Sequence, residues 1–180
     1  MRIYLDTEYC YPGMMRGTPR PTASDKRQIV QIAAIIFDNE NEKEIDSFDQ
    51  LAVPTYETAV GDFFTELTGI TQDDIDTKAI SFNEAFLQFR EFCGDIEIWT
   101  FDKDEEVLRQ NCNYTAIDWP FETPFTRVKP KLNYWGINPN DYSSGILYRA
   151  VGLEMDGHVH NALHDVRSMA RSIYRLEHQQ

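Results

Sequence analysis

The chain has 180 residues, 42% of them hydrophobic, enough for one well-filled core and an expectation of one domain over 1–180. A net charge of −13 and a pI near 4.6 exclude a uniformly basic surface, and the longest apolar run, IAAIIF at 32–37, is too short to span a bilayer, so no membrane partner is expected. No signal-peptide pattern opens the chain, and Cys10, Cys93 and Cys112 lack metal-ligand spacing, so they read as reduced thiols of a cytoplasmic protein.

In chain order, a first strand is expected at 2–7, RIYLDT. A connection rich in Pro, Gly and Arg follows, with Arg16, Arg20, Lys26 and Arg27 against Asp25 across 9–27, a local +3. QIVQIAAIIFD at 28–38 reads as a buried central strand, and after the turn DNENE a third strand runs near 45–53, before Pro54. Three strands in succession suggest an antiparallel meander.

The period then changes. Ser81 and Glu84 form a capping-box pattern, and Phe82, Ala85, Phe86, Phe89 and Cys93 follow at helical spacing up to Gly94. IEIWTF at 96–101 is a further buried strand, and 103–112 looks helical. Residues 120–140 read as loop with four prolines; within it, 120–135 carries Arg127, Lys129 and Lys131 against Glu122, a local +2. Helices are expected at 143–152 and 161–177. This order implies an α/β fold, a mixed sheet of antiparallel meander plus parallel strands, flanked by helices.

Three places hold chemistry-bearing residues. Asp6 and Glu8 are two apart on the first strand, so both project from one face, and two carboxylates that close repel unless a cation lies between them. Hard divalent ions such as Mg²⁺ or Mn²⁺ suit oxygen ligands. Second, DKDEE follows the strand at 96–101: Asp102 is placed to cap a helix, with Glu105 completing a capping box and Asp104 in the first turn. Third, HNALHD at 160–165 puts His160 before a helix capped by Asn161, with His164 and Asp165 on the helix.

D-x-E on the first strand, an Asp after a central strand and H-x4-D on the last helix together resemble the DEDDh 3′–5′ exonuclease superfamily, the class of RNase T and the proofreading subunit of DNA polymerase III. ELTGIT at 66–71 followed by SFNEAFLQF is similar to the ERI/KapD branch, whose characterised members are mainly exoribonucleases. The resemblance implies a ribonuclease-H-like fold and two divalent metal ions, Mg²⁺ or Mn²⁺. It implies Asp6, Glu8, Asp104 and Asp165 as metal-binding carboxylates and His160 as general base, with His164 supporting or packing. The family commonly has an aromatic before the third Asp, whereas Lys103 stands here, so Asp102 stays open beside Asp104.

The implied reaction is metal-dependent removal of nucleoside 5′-monophosphates from single-stranded RNA or DNA 3′ ends, with RNA favoured by resemblance and a homodimer left open. Two cations about 4 Å apart would activate water on one side and stabilise the leaving oxygen on the other. The basic segments 9–27 and 120–135 are then candidates for phosphate contact through Arg127, Lys129 and Lys131, with Phe125, Tyr134 or Trp135 stacking on bases; solvated loops are the alternative. Rival readings are an HD-type metal phosphohydrolase built on His164–Asp165, a zinc site from His158, His160 and His164, and a catalytically silent nucleic-acid-binding module.

Overall fold

In the computed structural model, which describes residues 1–14 and 26–178, six strands form one sheet in the order β4-β3-β2-β1-β5-β6. The strands are β1 (Arg2–Cys10), β2 (Gln28–Asp38), β3 (Lys43–Val53), β4 (Ile80–Ser81), β5 (Ile98–Thr100) and β6 (Thr126–Arg127). β1, β2 and β3 make the expected antiparallel meander, and β5 adds to β1 in parallel, with Ile3 opposite Ile98. β6 adds to β5 in parallel. The helices are α1 (Asp62–Thr68), α2 (Gln72–Lys78), α3 (Phe82–Cys93), α4 (Asp104–Tyr114) and α5 (Ala162–His178).

The alternation of β1 decides what each face carries. Ile3 and Leu5 point to a core built with Phe86 and Phe89 of α3 and Leu108 and Cys112 of α4. Tyr4 points to the opposite face, where Ile35, Trp99, Leu147 and the α5 residues Val166, Met169 and Ile173 close a second core. Asp6 and Glu8 share the parity of Tyr4 and so lie on the α5 face, at the end of β1 where this core stops. The ladder to β2 shifts register between Glu8 and Tyr9, a local bend at the site's edge.

Several boundaries differ from the sequence reading. β1 runs on to Cys10 because β2 is long enough to pair with it throughout. α1 and α2, seven residues each, are too short to show a hydrophobic period. They are fixed instead by Gly69 in the left-handed region after α1 and by a Thr71–Asp74 capping box. The stretch 143–152 is helical but of the 3-10 type over Ser144–Val151, and the expected loop 120–140 contains β6 and a 3-10 turn over Lys129–Trp135. Asp102 does not cap α4. Lys103 occupies the cap position without a side-chain bond, the Asp102 carboxylate is engaged by Lys129, and Glu105 receives Phe125 N instead of closing a capping box. Among the described residues no helix is long and apolar enough to cross a membrane.

Asn111 locks α4 to the sheet. Fully buried, it accepts from Ile29 N at 3.1 Å through Oδ1 and donates from Nδ2 to Arg27 O at 3.0 Å. Asn111→Ala would leave both backbone groups buried without partners, at about 3 kcal/mol together. Urea denaturation should show a loss of that size; a loss below about 1 kcal/mol would mean that water replaces the amide.

Candidate active site

The site gathers at the end of β1. Asp6 and Glu8 are buried there, 7% and 9% exposed. Asp104, the first residue of α4, turns back to β1: its Oδ1 accepts from Thr7 N at 3.1 Å and from Thr7 Oγ1 at 2.9 Å. Thr7 lies between the two carboxylates of β1, so these bonds bring the third acid alongside them. Asp165, on α5, is 2% exposed; its Oδ2 accepts from Ser144 Oγ at 3.1 Å and its Oδ1 from His160 N at 3.2 Å.

Burial is the largest influence on all four acids. It raises Asp6 and Glu8 well above the usual carboxylate range, reinforced for Asp6 by Asp104, Asp165 and Glu8 and for Glu8 by Asp165 and Asp104. Burial brings Asp104 to about 6, against the hydrogen bonds from Thr7, and Asp165 to about 7, against those from Ser144 and His160. Asp102 stands apart from this cluster, paired with Lys129 Nζ at 3.1 Å.

His160 sits beside the acids on the loop before α5. Its backbone is left-handed, φ 69°, a conformation uncommon for a non-glycine residue. Burial, then His158, lowers its pKa, so the imidazole is held neutral and able to accept a proton. One ligand atom each from Glu8, His160 and Asp165 lies within 4.8 Å of the other two. The donor set of three buried acids, the part-buried Asp104 and one neutral imidazole fits a divalent cation, which would relieve the cost of ionising the acids together.

The other histidines point elsewhere. His164 is buried, with Nε2 3.2 Å from Gly145 O and its ring edge-on to Tyr148. His158 Nε2 lies 3.0 Å from Leu67 O. The three histidines therefore do not converge as a zinc site, and the six-stranded sheet rules out the all-helical phosphohydrolase. A recess of about 510 Å³ beside the site is lined by Gln31, Asp49, Thr68, Gly69, His158 and Asn161 and does not include the four carboxylates.

Sequence reasoning missed Thr7, Ser144 and Gly145. A Cβ on Gly145 would come within 2.3 Å of Asp165 Oδ1, so only glycine leaves room for that carboxylate. A Ser-Gly pair opening a helical stretch is too common to single out, and its meaning appears only once α5 packs against it.

The expected surface contacts are redistributed. Phe125 is 7% exposed within an aromatic cluster with Trp119 and Phe121 and has no free face for a base. Arg127 is paired with Glu106 at 2.7 Å, and Lys131 lies 5.2 Å from the Trp99 ring centroid. Trp135 is half-buried against the α5 core, whereas Tyr134 is exposed. Arg16 and Arg20 lie outside the described residues.

A mixed sheet, with acids converging from its first strand and two helices and a histidine at their rim, defines a metal-assisted hydrolase of the ribonuclease-H-like kind. A family model described as Exonuclease (RNase_T) matches residues 4–172. The chain belongs to this exonuclease family. It is 22% identical over 161 residues to the 3′–5′ exoribonuclease 1 proteins of Rattus norvegicus and Homo sapiens, covering 83% of this chain and 46% of theirs. The chain thus spans about half the length of those curated relatives. Its fold is similar to the nuclease domain of 3′hExo, a DEDDh family member bound to rAMP: TM-score 0.84, 20% identity, covering 98% of this chain and 91% of that one. It is also similar to cell-death related nuclease 4, with TM-score 0.79, 17% identity and coverage of 98% and 63%.

Two outcomes follow from this geometry. Each carboxyl has its folded pKa raised above an unfolded value near 4, so the folded protein keeps protons that the unfolded chain releases between about pH 4 and 7. Stability without metal should fall as pH rises through that window. Thermal melts in EDTA should give a lower midpoint at pH 8 than at pH 5, with Mg²⁺ or Mn²⁺ restoring it at pH 8 only; Asp165→Asn should flatten the slope. A midpoint in EDTA that climbs with pH would contradict the cluster. Separately, Gly145→Ala should weaken metal binding by roughly 10- to 100-fold, the scale for disturbing a group that orients a ligand, as read by metal-titrated melts.

Proposed function

We propose that the chain is a divalent-metal-dependent 3′→5′ exonuclease that releases nucleoside 5′-monophosphates from single-stranded ends, with RNA preferred to DNA. The observation that carries this reading is the convergence of the buried Asp6, Glu8 and Asp165 and the part-buried Asp104 in one cluster with the neutral imidazole of His160 at its rim. RNA is supported by the exoribonuclease 1 relatives and by structural neighbours bound to rAMP or recognising a histone mRNA stem-loop. Exonuclease I of E. coli, a more distant neighbour in fold, was solved with DNA oligonucleotides, which makes the comparison of sugars a necessary arm of the test.

In this reading the four carboxylates would hold two ions, Mg²⁺ or Mn²⁺. When bound, divalent metal supplies the positive charge that activates water and stabilises a departing alkoxide. Thr7 holds Asp104 by two hydrogen bonds, and Ser144 with the His160 amide holds Asp165, so neither acid has to reorganise. His160 takes the proton of the attacking water on its free ring nitrogen, for which a neutral imidazole is required. The left-handed turn at His160 lets its amide reach Asp165 while its ring stays beside Glu8. His164 fixes the 3-10 segment through Gly145 O.

Matched 3′-labelled RNA and DNA strands with Mg²⁺, Mn²⁺ or EDTA test the reading. Stepwise loss of label from linear strands only, abolished by EDTA and faster on RNA, is expected; full activity in EDTA or on circles overturns it. His160→Ala should lower turnover by roughly 10²-fold or more while metal still raises the melting midpoint. His164→Ala should cost far less turnover, and equal losses would favour a bis-histidine metal site. Asp104→Asn should abolish turnover in a folded protein, whereas Asp102→Asn, which removes one part-exposed ion pair, should remain largely active.

A further inference from the structure

Beyond Glu8 the surface changes character. Lys26 Nζ lies 4.0 Å from the ring centroid of Tyr56, Tyr114 meets Tyr56 edge-on at 5.3 Å, and Arg27 lies over Tyr9 at 5.9 Å. Among the described residues neither Lys26 nor Arg27 is in an ion pair; Lys26 is exposed, whereas Arg27 is buried beneath the patch, with its Nε donating to the neutral Gln110 at 3.1 Å. Tyr56 keeps 47% of its surface exposed, although nothing in the apolar pattern calls for an aromatic there.

The loop is held from beneath. Gln28 is fully buried, and its Oε1 accepts from both Tyr56 N and Glu57 N. A buried amide fixing an exposed tyrosine is a preorganised surface, and ordering it costs no further entropy on binding. The opposite end of α4 carries its own version of the link: Tyr114 lies ten residues from Asp104, about 15 Å at the α-helical rise. Tyr9 is the residue after Glu8. The patch is thus joined to the carboxylates by one helix and by one strand.

We propose that Tyr56 and Tyr114, with Lys26, form a platform for the single strand upstream of its 3′ end, the tyrosines stacking on bases and the exposed Lys26 ammonium supplying charge for phosphates. This rests on the exonuclease reading. The opposite route, past β6, is less suited, because Arg127 and Lys129 are neutralised by Glu106 and Asp102 and Phe125 is buried. Aromatic rings beside cations bind single strands with little sequence preference, since every base has a π-face.

The test is anisotropy with a labelled, phosphorothioate-linked oligouridine that resists hydrolysis, alongside turnover of an all-phosphate dinucleotide and of a long single strand. Tyr56→Ala and Tyr114→Ala should each weaken binding of the long strand by about tenfold and raise its KM alike, with kcat unchanged. The dinucleotide, too short to reach the platform, should be cleaved as by wild type. Tyr56→Phe and Tyr114→Phe should bind as wild type does, because the ring stacks. Lys26→Ala should lower the slope of log affinity against log salt by about 0.7. Unchanged binding by Tyr56→Ala, an equal defect on the dinucleotide, or an equal defect in the Phe variants overturns the platform. Should Tyr114→Ala fail to fold, Tyr56→Ala, at an exposed position, decides. A wild type that binds the strand but cleaves neither substrate would refute the exonuclease reading, leaving the binding arm to judge the platform.

Discussion

Four carboxylates crowded together at the end of β1, three of them buried and Asp104 part-buried, impose the condition that the rest of the site satisfies. Like charges in a medium of low dielectric raise each other's pKa, and a fold that gathers them without compensation would be opposed by every pair. The compensation visible in the chain is partial and directional: Thr7 donates twice to Asp104, and Ser144 and the His160 amide donate to Asp165. Asp6 and Glu8 remain strongly raised. The remaining demand is for external positive charge, so affinity for a hard divalent cation follows from the same burial that strains the metal-free state.

Those donors are placed by packing at some distance from the acids. Asp104 reaches Thr7 because α4 begins where β5 ends and is held by Leu108 in the core and by Asn111 at the start of β2. Asp165 reaches Ser144 because α5 lies along the 3-10 segment, with Ser168 Oγ donating to Ser144 O at 2.7 Å and Gly145 leaving room for the carboxylate. Gly157 has a parallel role, since a Cβ there would fall 2.3 Å from His164 Nδ1. The two histidines of HNALHD are therefore divided by geometry: one is half-buried at the rim of the acids, the other is packed beneath the segment that positions Asp165.

An acidic protein that handles a polyanion needs its positive charge local. Much of the basic content is internally neutralised, as in the pairs Arg2–Glu177, Arg109–Glu105 and Arg167–Glu44. Pairs of this exposed kind contribute little stability, but they remove cations from the field that a phosphate would feel. Among the described residues, the exposed Lys26 at the start of β2 is in no ion pair and meets Tyr56 rather than a carboxylate. Cation–π contacts leave the positive charge available in a way that ion pairs do not.

Patterns with a short period were legible in the sequence. The alternation in RIYLDTEY placed Asp6 and Glu8 on one face, the helical spacing from Phe82 to Cys93 marked α3, and the amphipathic run from Ala162 marked α5. The resemblance carried by D-x-E and HNALHD pointed to the acids that the fold brings together. Elements set by a single capping residue or by two-residue pairing, such as α1, α2 and β6, were illegible because they have no period. The choice between Asp102 and Asp104 also depended on tertiary contacts: both acids suit a helix start, and only the position of Lys129 beside one and Thr7 beside the other separates them. Sequence by itself determined which residues could bear charge and which faces would be apolar, since both are local properties of the chain. Tertiary structure alone decided which charges meet, because an acid's partner and its desolvation come from residues that the fold brings from elsewhere in the chain.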